Sequence, residues 1–129
     1  MLYFWIDART KVEFNGLEFV GEIEYPLLNR WDWPRVKDNL APAAVGTITE
    51  AQLQGYRAHY GSFKTPLKWT VQRVISGERD DSVVSFVKVL SHATSDRGTA
   101  TVVAMTVSHI TTTSSWKLEA LTLSDERPG

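Results

Sequence analysis

The chain contains no cysteine. That excludes disulfides, thiolate metal sites and a cysteine nucleophile, and it fits a cytosolic or an exported protein equally well. There is no excess of charge of either sign: 14 Lys/Arg stand against 15 Asp/Glu. No general field then draws nucleic acid or an anionic membrane, and no Lys/Arg cluster stands out, so nucleic acid is not an expected partner. Long hydrophobic runs are missing too. The N-terminus reads MLYFWIDARTK, and its opening apolar run is too short for a membrane span or a signal-peptide core, so no membrane insertion is expected from it. It reads either as the stub of a longer targeting segment or as a strand or helix start that packs on the body. Localisation therefore stays open between cytoplasmic and exported. There is no Gly-rich phosphate loop, no G-x-S-x-G elbow and no paired His/Asp/Glu spacing for a metal, so neither metal nor cofactor is implied.

What is present is an ordinary globular composition, 43% hydrophobic and 22% charged over 129 residues. That is the size of one domain with one core, here taken as 1–129 with 1–16 as an extension of uncertain structure.

Helix signals dominate the first half. In LLNRWDWPRVKDNLAPAAV, residues 27–45, Asp32 is placed to cap a helix and Pro34 falls in its first turn, where a missing N–H does no harm. Trp33, Val36 and Leu40 share a face, and Pro42 ends the helix, which predicts helix over 33–41. Trp31 and Trp33 sit at the elbow leading into it. Thr49 and Gln52 have capping-box spacing, with Ile48 and Leu53 as the flanking staple. Leu53, Tyr56 and Tyr60 then follow at helical spacing until Gly61. Residues 11–29 carry two patterns. Asn15-Gly16 between alternating apolar residues reads as a hairpin, whereas Leu17, Val20, Glu24, Leu27 and Trp31 form a helical stripe that Pro26 interrupts.

From Pro66 onward the period becomes two. Four strands with short turns imply an antiparallel meander, and helices followed by strands imply an α+β fold with the helices on one face of a curved sheet. The more apolar face holds Trp69, Val71, Arg73, Val87, Val89, Val103, Met105, Val107, His109, Trp116 and Leu118. Phe86, Leu90, Leu121 and Leu123 fall on the opposite face, and four apolar residues on neighbouring strands suggest a homodimer or docking surface there.

The 27–45 stretch resembles the second-helix region of the nuclear transport factor 2-like superfamily, in which a helix ends in a pattern like ALN-x-x-DW and the next reads like A-x-x-x-LLAP. TITEAQLQGYRAHYGSFKTP, residues 47–66, is similar to the third helix of that fold, with its T-x-E-Q-L start and YG-x-F-K end. The resemblance spans 17–123 and favours the helical reading of 17–29. It implies a cone, in which a bent four-stranded sheet wraps around helices and leaves a pocket between them. Enzymatic branches such as the SnoaL-like cyclases place acids, histidines or tyrosines in that cone; others bind small ligands or serve association. The fold alone does not decide between them.

His109 is the one imidazole on the apolar face and the candidate acid–base residue. Tyr56, Tyr60, Trp69, Arg73, Met105 and Trp116 are the candidate pocket lining for a small apolar molecule. A tunable inward carboxylate is what acid–base chemistry in this fold needs, and none is evident: Glu119 alternates outward, Asp32 is a cap, and Glu22 and Glu24 look solvated. The expectation is a small-ligand-binding or association domain, with a SnoaL-like isomerase, cyclase or dehydratase as the alternative.

Overall fold

The computed structural model describes residues 8–63, 68–79, 82–111, 113 and 115–126. The expectations for the MLYFWI start and for the strand onset at Pro66 lie outside them, as does the side chain of Arg73. The elements are α1 (Ala8–Arg30), α2 (Trp33–Asp38), a 3-10 turn (Pro42–Ala44) and α3 (Glu50–Tyr60), then β1 (Lys68–Arg79), β2 (Ser82–Thr94), β3 (Ala100–Ile110) and β4 (Ser115–Asp125). The strands form an antiparallel meander in the order β1-β2-β3-β4. The fold is α+β, with an N-terminal helix against a curved, unclosed sheet.

Helix wins over hairpin at 11–29, and α1 runs through Asn15-Gly16 without a break. Gly16 is there for proximity rather than for a turn: a Cβ on it would stand 3.0 Å from Val87 on β2. Val20, Ile23, Leu27 and Leu28 are buried along the same helix. Pro26 is accommodated inside α1. It cannot donate to the carbonyl of Glu22 four residues back, and that oxygen instead accepts from Arg35 Nη1 at 3.5 Å.

The elbow between α1 and α2 forms as its residues suggest. Trp31 adopts a left-handed conformation, φ 53°, which is unusual for a bulky residue. Its indole is held on both sides: Nε1 donates to Gly61 O at 2.8 Å and the ring packs on Phe63. Asp32 caps α2, its Oδ1 accepting from Arg35 N at 3.2 Å. The helix ends earlier than the spacing predicts, at Asp38. The chain then lies along β4, where Leu118 N donates to Asn39 O and Ala41 N donates to Leu118 O. The sheet edge offers backbone partners to Asn39 and Ala41 at once, which outweighs one further helical turn.

At α3, Thr49 Oγ1 accepts from Gln52 N at 3.2 Å. The reciprocal half of the capping box is not made, because Gln52 Nε2 turns to the Tyr56 hydroxyl. Thr49→Ala is expected to cost about 1 kcal/mol, the usual worth of a side-chain N-cap. Urea unfolding measures it, and an unchanged midpoint refutes the cap.

The inner face of the sheet consists of four rows in register: Trp69-Ser91-Val103-Leu123, Val71-Val89-Met105-Leu121, Val74-Val87-Val107-Leu118 and Ser76-Ser85-His109-Trp116. Two bulges set them. A register shift between Val71 and Arg73 brings Val74, not Arg73, opposite Val87. Another between Thr106 and Val107 leaves Glu119 as the extra residue between Leu118 and Ala120. That second bulge reverses the alternation in β4, since one added residue exchanges the faces of everything beyond it. Leu121 and Leu123 therefore belong to the buried core and not to the outer face, which corrects their reading as interface residues. Phe86 and Leu90 stay on the outer face, half-buried.

Candidate ligand cavity

The fourth inner row carries the chemistry. Ser76, Ser85, His109 and Trp116 lie side by side across the four strands, beneath the early turns of α1. Lys11, Val12 and Asn15 come down from that helix, and Val74 and Thr111 complete the wall of a cavity of about 520 Å3. That volume lies in the range typical of small-molecule sites. The two middle inner rows are filled by core side chains, and this cavity lies where α1 meets the last row.

Its aromatic wall is a stack. Phe19 of α1 lies on Trp116 with centroids 6.0 Å apart, and the His109 ring faces Trp116 at 4.7 Å and 36°. Trp116 and His109 line the cavity, while Phe19 packs on Trp116 from outside the lining. Burial lowers the His109 pKa below its ordinary 6.5, so the imidazole is neutral at pH 7. A neutral imidazole has one N–H donor and one acceptor nitrogen, and His109 spends neither on a partner among the described residues. Lys11 is exposed, and its ammonium is the only formally charged group among the described lining residues.

The structure brings two of the sequence-predicted pocket residues together, His109 and Trp116. The others lie elsewhere. Tyr60 is 3% exposed and packs against Phe63. Burial and a hydrogen bond to Asp125 push its phenol up to about 12. It ties the end of α3 to the end of β4. Tyr56 sits one turn earlier, half-buried, accepting from Gln52. Met105 is fully buried in the core. Trp69 covers Gly21 and faces Tyr25, in a shallow groove on the other side of α1. For Arg73 only the backbone is described, paired with Lys88.

Searches of family models, curated proteins and solved structures return no match for this chain. Among the described residues no group of His, Asp and Glu is arranged to hold a metal, and no helix is long and apolar enough to cross a membrane.

Sequence reasoning missed three features. Lys11 and Asn15 fall in a segment whose structure was open between helix and hairpin, though their four-residue spacing would put both on one helix face. Ser85 becomes visible only through its pairing with His109. Glu24 is the largest correction. It is 0% exposed, not solvated. Ser91 Oγ donates to its Oε2 at 2.9 Å, while Oε1 is buried without a partner. Burial raises its pKa to about 7, against a smaller lowering from Ser91. It had stood in the buried helical stripe with Val20, Leu27 and Trp31, and that position was the available signal. Glu24 does not line the cavity.

Proposed function

We propose that this chain is a small-ligand-binding domain of the nuclear transport factor 2-like kind, using the cavity between the first half of α1 and the last inner row of the sheet. The observation that carries this reading is the cavity itself: an aromatic wall, an apolar helix edge at Val12 and a few polar groups grouped at one end of the sheet. Binding sites have that composition, mostly apolar surface with a small number of placed polar atoms. The order of helices before a curved meander, and the 27–45 and 47–66 stretches, support the superfamily.

Proton-transfer chemistry by His109 is less well supported. General acid–base catalysis of this kind uses a second group to set or accept charge. No carboxylate is among the described lining residues, and the buried carboxyl of Glu24 bonds to Ser91 within the packed core.

The test uses N-phenyl-1-naphthylamine, an uncharged aromatic probe that brightens in apolar sites. Saturable brightening with micromolar affinity is expected. Ser76→Trp should abolish it, because Ser76 lies on the exposed side of the lining and an indole there fills the cavity from β1 without disturbing the core. Absence of brightening, or brightening indifferent to Ser76→Trp, refutes the cavity as the binding site.

A further inference from the structure

We propose that the cavity selects small aromatic or alicyclic carboxylates, with the ring on Trp116 and His109 and the carboxylate on Lys11. The proposal rests on the ligand-binding reading above and adds the chemical class of the ligand.

The lining is divided by kind along one axis. Trp116, Val12 and Val74 offer apolar surface, and the His109 ring lies 4.7 Å from that of Trp116 beside it. A planar or compact ring fits an aromatic lining better than a flexible chain does, because it loses fewer rotamers on binding. Among the polar groups Lys11 alone can only donate; the others can donate or accept. Lys11 carries three N–H bonds and no lone pair; Asn15, Ser76, Ser85 and Thr111 can each donate; neutral His109 holds one N–H. The only formal charge among them is positive. Among the described residues neither Lys11 nor His109 has a partner for its polar atoms, so both are available without breaking a bond shown there. A singly cationic rim over an apolar floor matches a ligand with an apolar body and an anionic acceptor head, because charge-assisted hydrogen bonds are about twice as strong as neutral ones. Glu18 and Glu22 border a neighbouring depression that shares Asn15 and Trp116. They bias the head group toward the Lys11 end, since a carboxylate placed beside them would meet like charge.

The test compares 2-naphthoate with 2-naphthamide, two ligands of one shape that differ in charge, by isothermal titration calorimetry at pH 7.5 and low salt. Naphthoate is expected to bind about tenfold more tightly than the amide, the 1.4 kcal/mol scale of a single charge-assisted bond. Lys11→Met should remove that difference by weakening naphthoate while leaving naphthamide unchanged. Lys11 is exposed on α1, so the substitution leaves the fold intact, and an unaltered circular dichroism spectrum checks it. Equal affinity of the two ligands, or a naphthoate affinity indifferent to Lys11→Met, overturns the carboxylate preference while the cavity reading stands. Failure of both ligands to bind, or binding of both that survives Ser76→Trp, overturns the cavity reading and this proposal with it.

Discussion

Between pH 4.5 and pH 7 the protein is expected to lose about 3 kcal/mol of folding stability through one side chain, Glu24. The carboxyl is fully buried between α1 and β2, with one hydrogen bond, from Ser91, and one oxygen left unpartnered. Burial disfavours the charged form, so the folded state holds the proton up to about pH 7 where an unfolded chain releases it near 4.5. A raised acid pKa means that the folded state binds more protons across that window. Its contribution is therefore fully present below 4.5, declines as pH rises, and is gone above 7. At 1.36 kcal/mol per unit the difference comes to about 3 kcal/mol. His109 works in the opposite sense. Its lowered pKa means that the folded state resists protonation, so this residue favours folding more as pH rises toward 6.5. The measurement must therefore be a difference between variants. Urea unfolding of the wild type and of Glu24→Gln, from pH 4.5 to 8.5, should show a wild-type profile that falls relative to the variant by about 3 kcal/mol. Parallel profiles would mean that the carboxyl ionises in the folded state as easily as in water, and would sink the assignment. Glu24→Leu tests the same point by removing the polar group: it should be the most stable of the three at pH 8.5, since an unpaired buried charge costs more than an apolar replacement of similar volume.

Truncating Leu118 to alanine should cost about 3–5 kcal/mol, the upper part of the range for buried leucines. Leu118 is completely buried in the third inner row, opposite Val107. The cost of such a deletion depends on how far the surroundings can close over the void. Here they are held. The Leu118 backbone pairs with β3 on one side, and on the other it bonds Asn39 O and Ala41 N, so the strand cannot move inward. Leu123→Ala is the comparison. It sits in the first inner row at the end of β4, 7% exposed, and is expected to cost about 2 kcal/mol by the same scale, because its neighbours are free to shift. Denaturant midpoints at constant m-value measure both. A Leu118→Ala cost no greater than that of Leu123→Ala would show that the strand relaxes despite its two hydrogen-bonded edges.

These two residues show where sequence reading reaches and where it stops. Leu118 was legible as an inward residue because strand alternation is a local rule that holds over the few residues around Trp116. Leu121 and Leu123 were not, because the rule breaks at the Glu119 bulge and nothing in LEALTL announces an extra residue. Glu24 failed for a related reason. A charged residue next to Ile23 reads as solvated on the average behaviour of glutamate, while its phase with Val20 and Leu27 places it against the sheet. The average yields when tertiary packing supplies a partner, here Ser91 from 67 positions away in sequence.

The candidate site divides in the same way. His109 was visible as the single imidazole on an apolar strand face, and Trp116 as its neighbour on the next strand. Lys11 and Asn15 were not, because hairpin and helix patterns compete over 11–29 and only the packing of Gly16 on Val87 settles the matter. Tyr56 and Tyr60 have the residue type of pocket hydroxyls and the right helical spacing, yet α3 lies toward the far end of β4, where Tyr60 meets Asp125 instead.

By itself the sequence determined the short-range features: the Asp32 and Thr49 caps, the elbow at Trp31, the strands and the order of helices before sheet. Each depends on interactions spanning a few residues, and backbone geometry makes those the same in any fold. Only the tertiary structure decided strand register beyond each bulge, the burial of Glu24, and the meeting of α1 with the Ser76-Ser85-His109-Trp116 row that leaves a cavity. Those depend on contacts between segments far apart in the chain, and a local pattern carries no record of its distant partner.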